Sequence, residues 1–453
     1  MRIPIDQENK QIIADQIENL SFDAMVKSLR SAIRLFPDKR TGSNTSYCFE
    51  DVALSAFSLF FTQSPSFLVF QEAMQKTKGE NNAQSLFGIT KIPCDNHIRD
   101  LMDEVNPTYA FPVFTHIIEG LKSMGYVEAF RSYNGNILCA LDATHYFSSK
   151  KICCENCNTK EHQNGTITYF HSAITPVFVT PGKNQVISLP PEFITPQDGT
   201  TKQDCENAAA KRWLNQYAPL YKKLGITILG DDLYCKQPIS SMIIDHGLSF
   251  ILVCKPDSHK TLYQWIDEMH AMGAIDTVVE KIWTGKTHHI NTYRFVNRVP
   301  MRDGLDAQEV NWCELTVTLP DGQIVYRNSF VTNFYIEKSN VKQIVADGRA
   351  RWKVENENNN ILKNRGYHLD HNFGHGKKYL SQLMLTLNLL AFLFHTVLEM
   401  VDHKYKLIRS ELPTRKTFFD DIRALTRYIY FQSWEAMLIF MIHGLELDVP
   451  DTS

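Results

Sequence analysis

Two short apolar runs in this chain each end at an aspartate, and this pairing constrains the fold more than any other feature of the sequence. "NILCALD" runs from Asn136 to Asp142, and "ITILGDD" from Ile226 to Asp232. Runs so short and so uniformly apolar suit strands buried on both faces, in a sheet covered by helices. Buried strands do not usually finish in carboxylates. In open α/β sheets, however, functional groups gather at the carboxyl ends of the strands.

The flanking sequence agrees with that class. "GTITYFHSAITPVFVTP" and "NQVISLP" are rich in β-branched and aromatic residues and read as further strands. A helix follows in "TTKQDCENAAAKRWLNQYAPLYKKLG", with Thr201 and Asp204 spaced as a capping box and Gly225 at its end. Trp213, Tyr217 and Tyr221 recur at helical spacing on it and are expected in the core. "LSFILVCKP" is another strand. From about residue 272 to 336, "TYRFVNRV", "WCELTVTLP" and "IVYRNSFVTNF" alternate in character, and "PDGQ" marks a hairpin, so an inserted β subdomain is expected there. A long helix then starts near Asn340.

Residues 1–135 and 401–453 read as helical, with the α/β core between them at 136–400. In "SFDAMVKSLRSAIRLFP", Phe22, Met25, Val26, Leu29, Ile33 and Phe36 share one face, Ser21 can cap the start, and Pro37 ends the helix. Lys27, Arg30 and Arg34 lie on the other side.

The net charge of −3 over 453 residues excludes a globally basic nucleic-acid binder, so such a partner has to be sought in local charge. The polar start "MRIPIDQENKQ" does not read as a secretory leader, and with ten cysteines it points to a reducing, cytoplasmic setting. Residues 379–398 lack Asp, Glu, Lys and Arg and could span a bilayer by length. They carry Ser381, Gln382, Asn388 and His395, so the expectation is a buried core helix and no membrane.

Asp142 and one of Asp231 and Asp232 therefore stand at strand ends. A third acid is expected from the long helix. Glu355 and Glu357 are two positions apart, about 200° around a helix, so only one can face the sheet. Arg351 lies one turn before Glu355, where a cation favours a charged carboxylate and can reach a phosphate. Glu355 is the candidate.

The pieces "ALDATHYF", "ILGDDLY" and "RWKVENENNNILK" resemble, in that order, the catalytic core of bacterial insertion-sequence transposases of the DDE type, over about residues 136–400. The resemblance implies an α/β, ribonuclease H-like mixed sheet flanked by helices, with a β insertion before the catalytic Glu. It makes Asp142, Asp231 and Glu355 the catalytic acids, because Asp231 has the family's aromatic residue, Tyr234, three places on. It implies Mg²⁺ (or Mn²⁺) held by those three acids, DNA as partner at element ends and target, a homodimer on DNA, and strand cleavage followed by strand transfer. Two ions about 4 Å apart suit oxygen ligands and phosphodiester chemistry. A nuclease of the same fold that does not join strands, and a silent transposase-derived DNA-binding protein, are the alternatives. The branch signature Tyr-(2)-Arg-(3)-Glu-(6)-Lys is departed from twice: Gly348 occupies the Tyr place and Leu362 the Lys place, with Lys363 one position late.

Arg351, Lys363, Arg365, Lys377 and Lys378 form a local basic cluster and are the candidate DNA-contacting residues. "FGHGKK", Phe373 to Lys378, is a glycine-bearing turn that would let backbone approach phosphates. Trp352 is expected to anchor its helix in the core, with base stacking as the alternative. Finally, Cys154-x-x-Cys157 has a zinc-knuckle spacing, with His162 and His171 as further candidate ligands and Cys153 as a substitute, giving a structural Zn²⁺ site on a hairpin tip.

Overall fold

The structure, a computed structural model, describes residues 20–41, 47–75, 81–196 and 205–448. Thr201 and Asp204 fall outside the described residues.

Among the described residues, thirteen strands form two sheets. In chain order they are β1 (Ile137–Ala140), β2 (Ala143–Ser149), β3 (Asn158–Glu161), β4 (Ile167–Ile174), β5 (Val177–Val179), β6 (Ile187–Ser188), β7 (Glu192–Ile194), β8 (Ile226–Gly230), β9 (Ser249–Val253), β10 (Asp276–Trp283), β11 (His288–Pro300), β12 (Glu309–Thr318) and β13 (Ile324–Thr332). The large sheet has the order β10-β11-β12-β13-β9-β8-β1-β5-β6. At its centre β1, β8 and β9 run parallel, with Ala140 opposite Leu229 and Leu229 opposite Ile251. The outer pairs are antiparallel. Every residue of β1 and β8 is buried, the condition that the two apolar runs demanded. The helices that flank the parallel strands are Glu206–Tyr221, before β8, and Gln237–Asp245, between β8 and β9. Trp213, Tyr217 and Tyr221 are buried beneath the first of these.

The strands of residues 276–332 do not form a body of their own. β13 pairs with β9, Val331 opposite Leu252, so the insertion prolongs the central sheet along one edge. Alternation could show the strands but not whose edge they would join. The second sheet went unnoticed in the sequence: β4 pairs with β2, β3 and β7 to make a small antiparallel layer beside the site. β3 and β7 are too short, at four and three residues, to give a readable pattern.

The helices at the two ends of the chain share one hydrophobic core built around Leu380–Val401. Phe57 lies 4.9 Å from Phe394, and Phe61 lies 4.4 Å from His395. The apolar window of that helix is 83% buried, and one polar group each of Asn388 and His395 finds a partner inside the fold. Asn388 donates to the Tyr367 carbonyl at 2.9 Å, and the His395 ring meets the Tyr367 hydroxyl. A buried polar group without such a partner would cost about 1–3 kcal/mol.

Near the N-terminus, Ala24 N–H donates to Ser21 Oγ at 3.3 Å, a cap worth about 1 kcal/mol. Arg30 does not face open solvent: it binds Glu50 at 2.8 Å and the Phe87 carbonyl at 2.8 Å, tying three helices together.

Candidate functional site

Asp142 follows β1, and Asp231 follows β8, the parallel strand beside it. Leu141 N–H donates to the Leu229 carbonyl at 2.9 Å, so the ladder continues up to Asp142 and delivers both aspartates at one sheet end. Asp142 is half-buried and its carboxyl is pushed up to about 7. Burial is the main cause. The negative charges of Glu355, Glu206 and Asp231 add to it, and the Arg351 guanidinium opposes it. Acids from four separate stretches of chain thus act on one another here.

The two adjacent aspartates have different work. Asp232 is fully engaged: its carboxylate accepts from Lys255 N–H at 2.7 Å and from the Ser258 hydroxyl, and His259 Nε2 lies 3.4 Å away. It thereby secures the loop after β9. Among the described residues, Asp231 accepts only a turn-forming bond from Leu233 N–H at 2.9 Å. Gly230, before them, has no room for a side chain: a Cβ there would sit 2.9 Å from Tyr234 Cβ and 3.1 Å from Leu252. Its absence lets Tyr234 fold back under the strand end and donate from its hydroxyl to Glu206 Oε1 at 2.6 Å. Beyond Asp232, Cys235, Cys254 and His259 form a buried group whose ligand-type atoms lie within 4.8 Å of one another.

Glu206 was not a sequence candidate. It opens the helix Glu206–Tyr221, and burial with the nearby Asp231 raises its carboxyl. The signal was present only as an acid in a first helical turn, a position common to many helices.

The acid from the long helix arrives by an unexpected route. The helix Val341–Arg349 ends at a turn, Val354–Asn359 winds as a π-helix, and Asn360–Asn364 resumes α geometry. Such π turns are rare and concentrate at functional sites. Glu355 is the member of the pair whose charge reaches Asp142, while Glu357 acts on Lys353, whose ammonium is turned to the Lys183 carbonyl at 2.5 Å. Arg351 Nη1 holds Glu355 Oε1 at 3.0 Å. Two buried asparagines set the register. The Thr175 hydroxyl donates to Asn359 Oδ1 at 2.8 Å, and Ser188 to Asn358 at 3.2 Å. Thr175 N–H in turn donates to the Asp142 carbonyl at 3.0 Å. One residue therefore links the backbone of Asp142 to the segment bearing Glu355.

Packing accounts for both residues that differ from the signature. A Cβ at Gly348 would stand 2.7 Å from Phe330 and 2.9 Å from Ile251, so no tyrosine fits where the helix crosses the sheet. Leu362 is fully buried, whereas Lys363 is turned outward to Asp370 at 3.7 Å.

The basic candidates divide. Arg365 and Lys377 are exposed. Lys378 holds Glu104 at 2.7 Å, and Arg351 holds Glu355. The "FGHGKK" turn does draw backbone to an anion, but the anion is internal: Asp103 accepts the N–H groups of Lys377, Lys378 and Leu380 at 2.8–3.0 Å. These donors are not free for phosphate. Trp352 is also corrected: it is 41% exposed, with the Lys353 ammonium 5.0 Å from its ring, and does not anchor the core.

The cysteine cluster is assembled with one change of member. Cys154, Cys157 and His171 converge, joined by His375 from the turn before the long apolar helix. His162 is elsewhere, its Nε2 2.8 Å from the Thr168 hydroxyl across the hairpin, and Cys153 points to solvent. His375 is 218 positions from Cys157, a distance at which spacing carries no information.

No family model and no curated protein sequence matches the chain. Among solved structures, it is similar to the piggyBac transposase in a synaptic complex with hairpin DNA, determined by cryo-EM. The TM-score is 0.37 and the identity 10%, over 98% of this chain and 83% of the other. At that distance no residue of one protein is carried onto the other.

Proposed function

We propose that this protein is a DNA transposase of the DDE type, cutting strands at the ends of an element and joining them to target DNA. Asp142, Asp231 and Glu355 are its catalytic acids. The observation that supports the reading best is electrostatic: Asp142, at the end of β1, feels the charges of both Asp231 and Glu355, from segments 89 and 213 residues away. The three carboxylates do not converge within 4.8 Å as the cysteine–histidine group does, and a divalent cation would draw them together against the repulsion between them. Two Mg²⁺ (or Mn²⁺) ions held there would supply the charge that makes an attacking oxygen nucleophilic and steadies the leaving oxygen.

The residues of the chain itself do the positioning. Asp142, influenced by both other acids, is the one suited to serve both ions. Glu206 keeps the pocket acidic without belonging to the triad, since its carboxylate is bonded to Tyr234. Arg351 holds Glu355 in place and can exchange that contact for a phosphate oxygen. Arg365 and Lys377 offer exposed cations to the DNA backbone, with Lys363 and Lys378 joining when phosphate displaces Asp370 and Glu104. Holding two ends together asks for two copies of the chain, so the working form is a homodimer on DNA.

The test is incubation with labelled duplex carrying the element's end, with Mg²⁺ or EDTA, beside Asp142→Asn. Mg²⁺-dependent cutting that leaves a 3′-hydroxyl and vanishes in the variant is expected, with joined product when target DNA is added. Binding without cutting in both proteins would overturn the reading.

A further inference from the structure

We infer that Cys154, Cys157, His171 and His375 bind one zinc ion in a closed Cys₂His₂ site that fastens two distant parts of the fold. The proposal stands on geometry independent of any DNA chemistry. The two sulfurs are 3.8 Å apart. His171 Nε2 lies 3.5 Å from each of them, and His375 Nε2 lies 3.6 Å from Cys157 Sγ. With Zn–S of about 2.3 Å and Zn–N of about 2.0 Å, a tetrahedron has edges of roughly 3.8 Å between sulfurs and roughly 3.5 Å between sulfur and nitrogen. Four of the six edges already stand at those separations, and all four donor atoms lie within 4.8 Å of one another.

Their chemistry selects the metal. Two soft thiolates with two imidazoles favour zinc over Mg²⁺, which takes oxygen ligands. The knuckle is formed: Cys157 N–H donates to the Cys154 carbonyl at 3.1 Å, and Cys154 N–H points to Cys157 Sγ at 3.4 Å. Cys157, His171 and His375 are buried, and the Phe147 ring covers His375 at 4.2 Å. Four protein ligands leave no open position, so the ion is structural.

What it would fasten follows from where the ligands sit. Cys154 and Cys157 lie in the turn between β2 and β3, and His171 is on β4. His375 is in the turn that leads from the Glu355 segment into the buried helix Leu380–Val401. Asn156 reinforces the same junction, donating to the Lys378 carbonyl at 2.6 Å. The ion would thus close a loop of more than two hundred residues and hold the small sheet against the helical layer beside the acids.

The test is metal analysis of the full chain purified without chelator, together with the visible spectrum after cobalt substitution. About one zinc per chain and the intense absorption of tetrahedral thiolate-bound cobalt are expected. His375→Ala should lose most of the zinc, and His162→Ala should keep it. Folded wild-type protein with neither zinc nor tetrahedral cobalt bands would overturn the proposal even if His375→Ala fails to fold. So would full zinc content in a folded His375→Ala protein, which would assign the metal to other ligands.

Discussion

Two clusters of ligand-type side chains lie in this molecule, and their construction differs in every respect that matters. The acids Asp142, Asp231 and Glu355 are hard oxygen donors at the end of a parallel sheet, and Glu355 is about half exposed. The cluster of Cys154, Cys157, His171 and His375 is soft and largely buried, with its donors already spaced for one ion. In the first, burial chiefly, and the charges of the neighbouring acids after it, raise the Asp142 carboxyl. The second has no room for substrate. An open hard site suits turnover and a closed soft site suits structure, and on the proposed reading the two clusters would divide reaction from reinforcement in that way.

The largest effect that would break the comparison is removal of the soft cluster. Cys157→Ser should lower the melting temperature by about 5 °C or more, as a loss of several kcal/mol requires, and thermal unfolding followed by circular dichroism reads it. An unchanged melting temperature would mean the closed cluster does not reinforce the fold.

A smaller but sharper contrast separates the adjacent aspartates. Asp231→Asn should reduce metal-dependent cleavage by more than about 100-fold, beyond what outer-shell changes cost, and leave stability nearly intact. Asp232→Asn should do the reverse. It weakens the bonds to Lys255 and Ser258, costs about 1–2 kcal/mol in a denaturation midpoint, and preserves cleavage to within an outer-shell effect. Equal loss of cleavage in both would remove the distinction.

The smallest effect concerns pH. On the proposed reading Asp142 would have to be ionised to hold a cation, and burial pushes its carboxyl up to about 7. Mg²⁺ affinity, followed by calorimetry, should therefore fall as pH drops through about 7, rather than through the ordinary carboxylate range near 4. Glu206→Gln removes one of the charges that raise it, so the midpoint should move to lower pH. A midpoint near 4 in the wild type would mean the acids are not crowded.

Much of this was legible in the sequence because the causes are local. Apolar runs of strand length announced buried strands, and Asp142 and Asp231 were found at their ends. Glu355 could be chosen over Glu357 because a helix shows one side at a time, although the π turn that presents it left no sequence mark. Polar residues within residues 379–398 foretold a buried helix, and Asn388 and His395 are paired there.

Other features were decided only by tertiary contact. His375, and not His162, joins the two cysteines because which side chain meets them depends on which turn the fold brings there, and spacing says nothing across 218 residues. The "FGHGKK" donors went to Asp103 rather than to phosphate because a carboxylate from the helical layer reached them first. Glu206 entered the acidic pocket because Tyr234 could fold beneath Gly230. Periodicity and capping act over a few residues, and the sequence by itself determined the longer strands, most of the helices and the strand-end positions of Asp142 and Asp231. Which side chains meet across the folded chain depends on packing among segments far apart in sequence, and that only the tertiary structure decided.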